Sequence, residues 1–191
     1  MADEVSLCNL ALAGLGAKPI SALSDDTTAG RECNRVYAHA RDSELRAHVW
    51  GFARAIEQIA ADSTDPAFGA AKRYLLPALC LRILPTEGRN KTQVQDDFQI
   101  FGRYIHTDHG SPINLIFVQQ VTDVEQFDLL FQDLLVKRIA NDICEKVTQS
   151  NTKRKLAREQ YKDARKEARR INSFEKPPQQ PPKDSWLTAR Q

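Results

Sequence analysis

The sequence predicts an α+β fold, mainly α: a helical bundle with a small antiparallel β-sheet inserted in the middle and an extended C-terminal arm. Three observations predict it. Apolar residues recur at helical spacing over residues 5–55 and again over 123–171. Between them, residues 56–121 carry β-branched and aromatic runs punctuated by Pro, Gly and Asp. Beyond Ile171 the chain turns to Pro and Gln, a composition biased to polyproline II. Four segments follow: an N-terminal helical pair (1–55), a small β-region (56–121), long C-terminal helices completing the bundle (122–172) and a Pro-rich extended tail (173–191).

The first helix is expected from about Ala2 to Leu15, with Val5, Cys8, Leu12 and Leu15 on one face and Leu7 and Leu10 on other sides. A helix apolar on several sides is deeply buried or sits at a subunit contact. Gly16 is placed to cap it, and Pro19 marks that it has ended. Ile20-Ser-Ala-Leu23 is a short extended piece. Ser24-Asp-Asp-Thr-Thr28 then caps a second helix whose buried face is read as Ala29, Cys33, Val36, Ala40 and Ala47. Arg31, Glu32, Arg35, Arg41, Asp42 and Glu44 are assigned mostly to its solvated side. That helix ends in an aromatic pair, Trp50 and Phe52, read as the hinge into the sheet.

Phe52–Ile59 fits either a continuing helix or the first strand, and Asp62–Gly69 is a loop. Tyr74–Pro85 is partly extended, since its prolines forbid a long helix. Phe98–Ile105 and Ile113–Val118 are expected to pair as a hairpin through the turn residues Asp108–Pro112. A long helix is predicted from Asp123 to Gln149, its apolar stripe shifting from Phe127, Leu130 and Leu134 to Leu135, Ile139, Ile143 and Val147, so that it meets two neighbours. The last helix, Thr152–Ile171, has a thin stripe of Ala157, Tyr161, Ala164, Ala168 and Ile171. The pairs Lys155–Glu159, Glu159–Lys162 and Asp163–Lys166 support it on the surface.

At 191 residues the chain buries roughly 70% of its unfolded surface without metal or disulfide. Its net charge of +2 is unevenly spread. Residues 152–176 hold ten Lys/Arg against four acids and residues 177–191 add +1, leaving −5 on the first 151. Cys8, Cys33, Cys80 and Cys144 show no paired spacing and read as buried reduced thiols. Met-Ala-Asp-Glu opens acidic where a signal peptide is basic, and no apolar run nears 18 residues, so a soluble chain made in the cytoplasm is expected.

Catalytic signatures are missing from the sequence, and neither cofactor nor metal is expected. Gly14-Leu-Gly16-Ala-Lys18-Pro19 follows a helix and lacks the Gly-Lys-Ser/Thr of a phosphate loop. His106-Thr-Asp108-His109 has metal-binding residue types but reads as a solvated turn. Asp25-Asp26 and Asp96-Asp97 are adjacent pairs suited to capping or surface roles, not to acid–base chemistry. The basic helix reads as a solvated face, as a dock for an acidic partner, or as a phosphate contact; its interleaved acids favour the first two. Trp186-Leu187, after the Pro-rich spacer, reads either as disordered chain or as a tethered anchor for a pocket on another chain, and the anchor is the favoured reading.

Several motifs resemble, in order, the head-to-tail adaptor proteins of tailed bacteriophages, the tail tubular protein A group. They are Val5…Cys8-Asn9-Leu10-Ala11-Leu12…Leu15-Gly16…Ile20-Ser21…Leu23, then Cys33-Asn34…Tyr37…Arg41-Asp42…Leu45…His48-Val49-Trp50-Gly51-Phe52-Ala53, and Tyr74-Leu-Leu-Pro77…Cys80-Leu81-Arg82. Val49 stands where the family often has Pro, and Gly51 where Asn is common. The resemblance implies a non-enzymatic virion protein of the phage neck, assembled in the host cytoplasm. Such a protein forms an oligomeric ring, usually a dodecamer, beneath the portal, joins capsid to tail and lines the channel for DNA ejection. The partners it implies are copies of itself, the portal protein, a downstream tail or nozzle protein and passing double-stranded DNA, with no membrane. Within that reading Arg165, Arg169, Arg170, Trp186, Leu187 and Arg190 are expected to dock on the portal, while Leu12, Leu15, Val36, Tyr37, Trp50 and Phe52 pack the core or subunit contacts. The alternative is a helical nucleic-acid-binding protein using the basic C-terminal helix.

Overall fold

The computed structural model describes residues 3–84 and 98–174. Over these residues the α+β, mainly helical class holds, with four α-helices and six strands in two three-stranded antiparallel sheets. The predicted tail from Glu175 onward lies outside the described residues.

Helix α1 (Glu4–Leu15) starts from a reciprocal cap. Asp3 Oδ1 accepts from Ser6 N at 2.7 Å, and Ser6 Oγ accepts from Asp3 N at 2.8 Å. It ends as expected at Gly16, whose left-handed φ of 70° no β-carbon hinders. Lys153 Nζ, from the last helix, donates to Leu15 O at 2.8 Å and sets a cation at the helix's negative end. Asn9 then fixes the corner: its amide donates to Ile20 O at 2.9 Å and accepts from Ile20 N at 2.8 Å. That corner consists of turns and bends.

Helix α2 (Thr28–Ala47) is capped by Thr27, whose hydroxyl accepts from Gly30 N at 3.0 Å. A β-carbon at Gly30 would run into the Asp25 carbonyl. The buried face of α2 is rotated from the expected one. Tyr37, Arg41, Glu44 and Leu45 are buried with Cys33, Val36 and Ala40, whereas Ala29 is half-buried and Ala47 exposed. Arg41 and Glu44, assigned from their charge to solvent, are therefore corrected to interior positions. Each has charged partners: Arg41 Nε donates to Asp42 Oδ1 at 2.8 Å, and Glu44 meets Arg138.

After an extended step at His48–Trp50, a 3-10 turn at Gly51–Ala53 leads into β1 (Arg54–Ile59). Then come β2 (Lys72–Leu75), β3 (Cys80–Ile83), β4 (Phe98–Phe101), β5 (Tyr104–Thr107) and β6 (Ile113–Gln119). The expected hairpin between Phe98–Ile105 and Ile113–Val118 is not formed. Phe98–Phe101 folds back on Tyr104–Thr107 around Gly102 (φ 60°), making β4 and β5 a hairpin of their own. One sheet has the order β2-β5-β4; the other, β1-β6-β3. Asp108–Pro112 thus carries the chain from one sheet to the other.

Strand β6 faces both ways. Ile113, Leu115 and Phe117 enter a small core with Ile59, Tyr74 and Ile105, between the two sheets. Val118 and Ile116 join the helical core on the opposite face. The sheet is tied to α2 by Gln120 Nε2, which donates to Asp42 Oδ2 at 2.7 Å, and by Arg46, which donates to Leu81 O.

A 3-10 turn at Val124–Gln126 precedes α3 (Leu129–Thr148), so the long helix begins later than Asp123. Asp128 sets the start, accepting from Leu130 N at 2.9 Å and Phe131 N at 3.3 Å. α3 is the central helix, packed on α1, α2 and α4, three neighbours instead of two. Its apolar stripe shifts because Phe131, Leu134, Leu135, Ile139 and Ile143 must serve all of them. Helix α4 (Asn151–Phe174) extends one residue before and three beyond the predicted span. Ala157 and Ala168 are buried and Tyr161, Ala164 and Ile171 half-buried, so the thin stripe is the contact face. Cys8, Cys33 and Cys144 are buried and Cys80 is half-buried, all as free thiols.

Candidate interaction surfaces

Several of the sequence positions with possible chemistry hold turns and helix ends together. Gly14–Lys18 lies at the C-terminal end of α1, where carbonyls repel a phosphate. Asp25 Oδ2 accepts from Ser21 N at 2.7 Å, and Asp26 pairs with Arg31. Asp96 and Asp97 lie outside the described residues. In the turn, Asp108 Oδ1 accepts from Ala71 N at 2.7 Å, and His109 O accepts from the Tyr74 hydroxyl at 2.8 Å. His106 rests on the Phe101 ring with centroids 4.9 Å apart. Among the described residues no cluster of three His, Cys, Asp or Glu side chains could hold a metal ion. No described helix is long and apolar enough to cross a membrane.

The packing residues expected from sequence come together in one core. Leu12, Leu15, Val36, Tyr37 and Trp50 are buried, with Phe52 half-buried against them. Trp50 and Phe52 sit with Phe127 and Phe131 in an aromatic cluster whose ring centroids lie 5.1–6.3 Å apart. Two polar features of this core were not anticipated. One is Glu44, whose Oε1 accepts from Arg138 Nη1 at 3.2 Å and from the Tyr161 hydroxyl at 2.5 Å, linking α2, α3 and α4. Burial, together with that hydrogen bond to Glu44, holds the Tyr161 hydroxyl above its ordinary pKa.

The other is Asn172, buried near the end of α4. Its Oδ1 accepts from Gly51 N at 3.1 Å; its Nδ2 donates to Val49 O at 2.8 Å and lies 2.9 Å from His48 Nε2. One side chain thus fastens the step from α2 to β1. Asn172→Ala is expected to lower stability by about 1–3 kcal/mol and to speed amide exchange at Gly51. Urea denaturation and hydrogen exchange check both, and an unchanged Gly51 amide would remove the clamp. The local signal was its place four residues after Ala168, on the apolar stripe.

The expected docking residues divide. Arg165 and Arg169 are half-buried beside the end of α2, where Arg169 Nη2 is 3.5 Å from Ala47 O. Their Nε groups are buried and have no hydrogen-bond acceptor among the described residues. Arg170 is exposed. Trp186, Leu187 and Arg190 lie outside the described residues. Lys155–Glu159, Glu159–Lys162 and Asp163–Lys166 do not close as ion pairs, since such surface pairs gain little over hydration. Among the described residues α4 makes one, Arg154–Glu145 at 3.0 Å.

Two surface clefts stand apart from these contacts. One, of about 370 Å³, lies over β4 and β5 and is lined by Phe68, Phe98, Phe101, His106 and Asp108. The other, of about 120 Å³, separates α1 from α4 and is lined by Leu10, Gly14, Lys137, Lys153, Leu156 and Gln160. Comparison of the chain with protein-family models and with curated proteins finds no match.

Proposed function

We propose that the chain is a non-catalytic structural subunit: a head-to-tail adaptor of a tailed bacteriophage. In this reading twelve copies ring the channel beneath the portal, join it to the next tail component and let double-stranded DNA pass. The observation that carries the reading is where the residues of the resemblance lie, because they are joints of the fold. Asn9 pins Ile20, Trp50 closes the turn from helix to strand, and the Tyr74 hydroxyl holds the His109 carbonyl in the crossing between the sheets. A net charge of −5 over the first 151 residues also suits a conduit that does not retain the passing phosphates.

The test is assembly and attachment. Purified full-length chain, alone and mixed with portal rings, is expected to form rings by electron microscopy and to co-sediment with the portal. Deleting residues 183–191 is expected to weaken co-sedimentation, because Trp186 and Leu187 are the tail's apolar anchor. A chain that neither assembles nor binds portal rings would overturn the adaptor reading. The second reading, nucleic-acid binding, is favoured by the basic residues of α4. It predicts that the isolated chain binds DNA with a steep dependence on salt.

A further inference from the structure

The solvent side of α4 is split by charge. At about 100° per residue, Lys155, Arg158, Lys162, Arg165, Lys166 and Arg169 fall within one arc of about 100°. Glu159, Asp163 and Glu167 fall in the adjoining arc of about 80°, with Leu156 and Phe174 inside it. Arg170 lies among the acids. None of the six basic residues makes an ion pair among the described residues.

The acidic flank borders α1. There Leu156 (54% exposed) and Leu10 (58% exposed) frame the cleft between the two helices, beside Gly14. The basic flank turns toward α2 and the Asp142–Glu145 side of α3, where Arg158 lines a groove with Asn141 and Asp142. Each flank is the complement of the other, and both belong to the same helix.

We propose that α4 is a two-sided docking helix for a second copy of this chain. The basic flank of one copy lies along the acidic, leucine-bearing flank of the next. A foreign partner would account for one flank only. Nucleic acid on the basic flank would leave the adjoining Glu159, Asp163 and Glu167 without a partner, and the basic arc offers no exposed aromatic ring for bases to stack on. A contact between unlike flanks is heterologous, so it repeats from copy to copy and closes when the rotation allows. The proposal rests on the ring reading for the identity of the partner and adds which surfaces meet.

Lys162, Asp163, Lys166 and Glu167 are all exposed, so neutral substitutions there leave the core intact. The experiment is sedimentation velocity on the full chain at low and high ionic strength. Wild type is expected to associate beyond a dimer at low salt and to dissociate at high salt. Lys162→Gln/Lys166→Gln and Asp163→Asn/Glu167→Gln are each expected to self-associate about tenfold more weakly. An equal mixture of the two variants retains one competent contact and is expected to stop at a heterodimer.

Variants that assemble as wild type does would overturn this inference and leave the ring to other surfaces. A wild-type chain that stays monomeric at every salt concentration, yet binds portal rings, would also overturn it without touching the adaptor reading. A duplex-DNA affinity lost in the lysine variant and kept in the acidic one would assign the basic flank to nucleic acid instead.

Discussion

Trp50→Ala is expected to lower the stability of the fold by about 3–5 kcal/mol, the range for truncating a fully buried aromatic side chain. Trp50 is 1% exposed and sits where α2, the 3-10 turn and α3 converge. Its ring meets Phe131 edge-on at 5.1 Å and His48 at 4.7 Å, and it lies over Phe52 at 6.3 Å. Its indole Nε1 donates to the Glu44 carbonyl at 2.9 Å, one of the last carbonyls of α2. Truncation therefore opens a cavity and leaves the Glu44 carbonyl without its indole donor in the same place. Since domains of this size are stable by about 5–15 kcal/mol, the alanine variant is expected to be partly unfolded at room temperature. Trp50→Phe keeps most of the ring contacts and loses the hydrogen bond, so about 1–2 kcal/mol is expected. Urea denaturation followed by far-UV circular dichroism measures both. Equal losses in the two variants would mean that ring volume does not fix this joint.

The helices were legible because their signals are local. Gly16 marks the end of α1, Thr27 caps α2, and the stripe from Ala157 to Ile171 names the face of α4 that packs. Strand pairing was not legible in the same way. Phe98–Ile105 and Ile113–Val118 carry similar β-forming residues, and the turn between them says that the chain reverses without saying against what. The information was nonlocal: β6 has apolar residues on both faces because it lies between two cores, and Gly102 was the overlooked sign of a tighter hairpin.

The misreading of α2 had another cause, since residue type was weighed above position. Glu44 lies about 20° around the helix from Cys33, at the middle of the buried face. Its place alone assigned it to the interior, and its charge concealed that. Its partners, Arg138 and Tyr161, are 94 and 117 residues away in sequence and carry no local mark of the pairing. The proposed docking residues show the same limit, because the half-burial of Arg165 and Arg169 depends on where the end of α2 comes to rest.

Arg138→Met is expected to destabilise the fold by about 3 kcal/mol, the lower end of the range for removing one partner of a buried ion pair. The lower end applies because the Arg138 side chain is 23% exposed and that of Glu44 only 2%. The loss lies mainly in what is left behind. Glu44 stays in the interior with only the Tyr161 hydroxyl at 2.5 Å, its Oε2 having no partner among the described residues. Asp142, which accepts from Arg138 Nε at 2.7 Å, is on the rim and can turn to water. Removing the carboxylate as well should therefore recover stability. Glu44→Met/Arg138→Met/Tyr161→Phe is expected to be more stable than Arg138→Met by about 1–3 kcal/mol, an apolar set of similar volume replacing the charged one. A mutant cycle in urea decides the matter: additive losses within about 0.5 kcal/mol would show that the three side chains do not act as a unit. If the apolar triple matches or exceeds wild type, stability is not what the network supplies. Its geometry then points to register, since only one rotation of α4 brings the Tyr161 hydroxyl to Glu44. That same rotation aims the charged flanks of α4 outward, so on the docking proposed above the triple variant, though stable, is expected to assemble less uniformly.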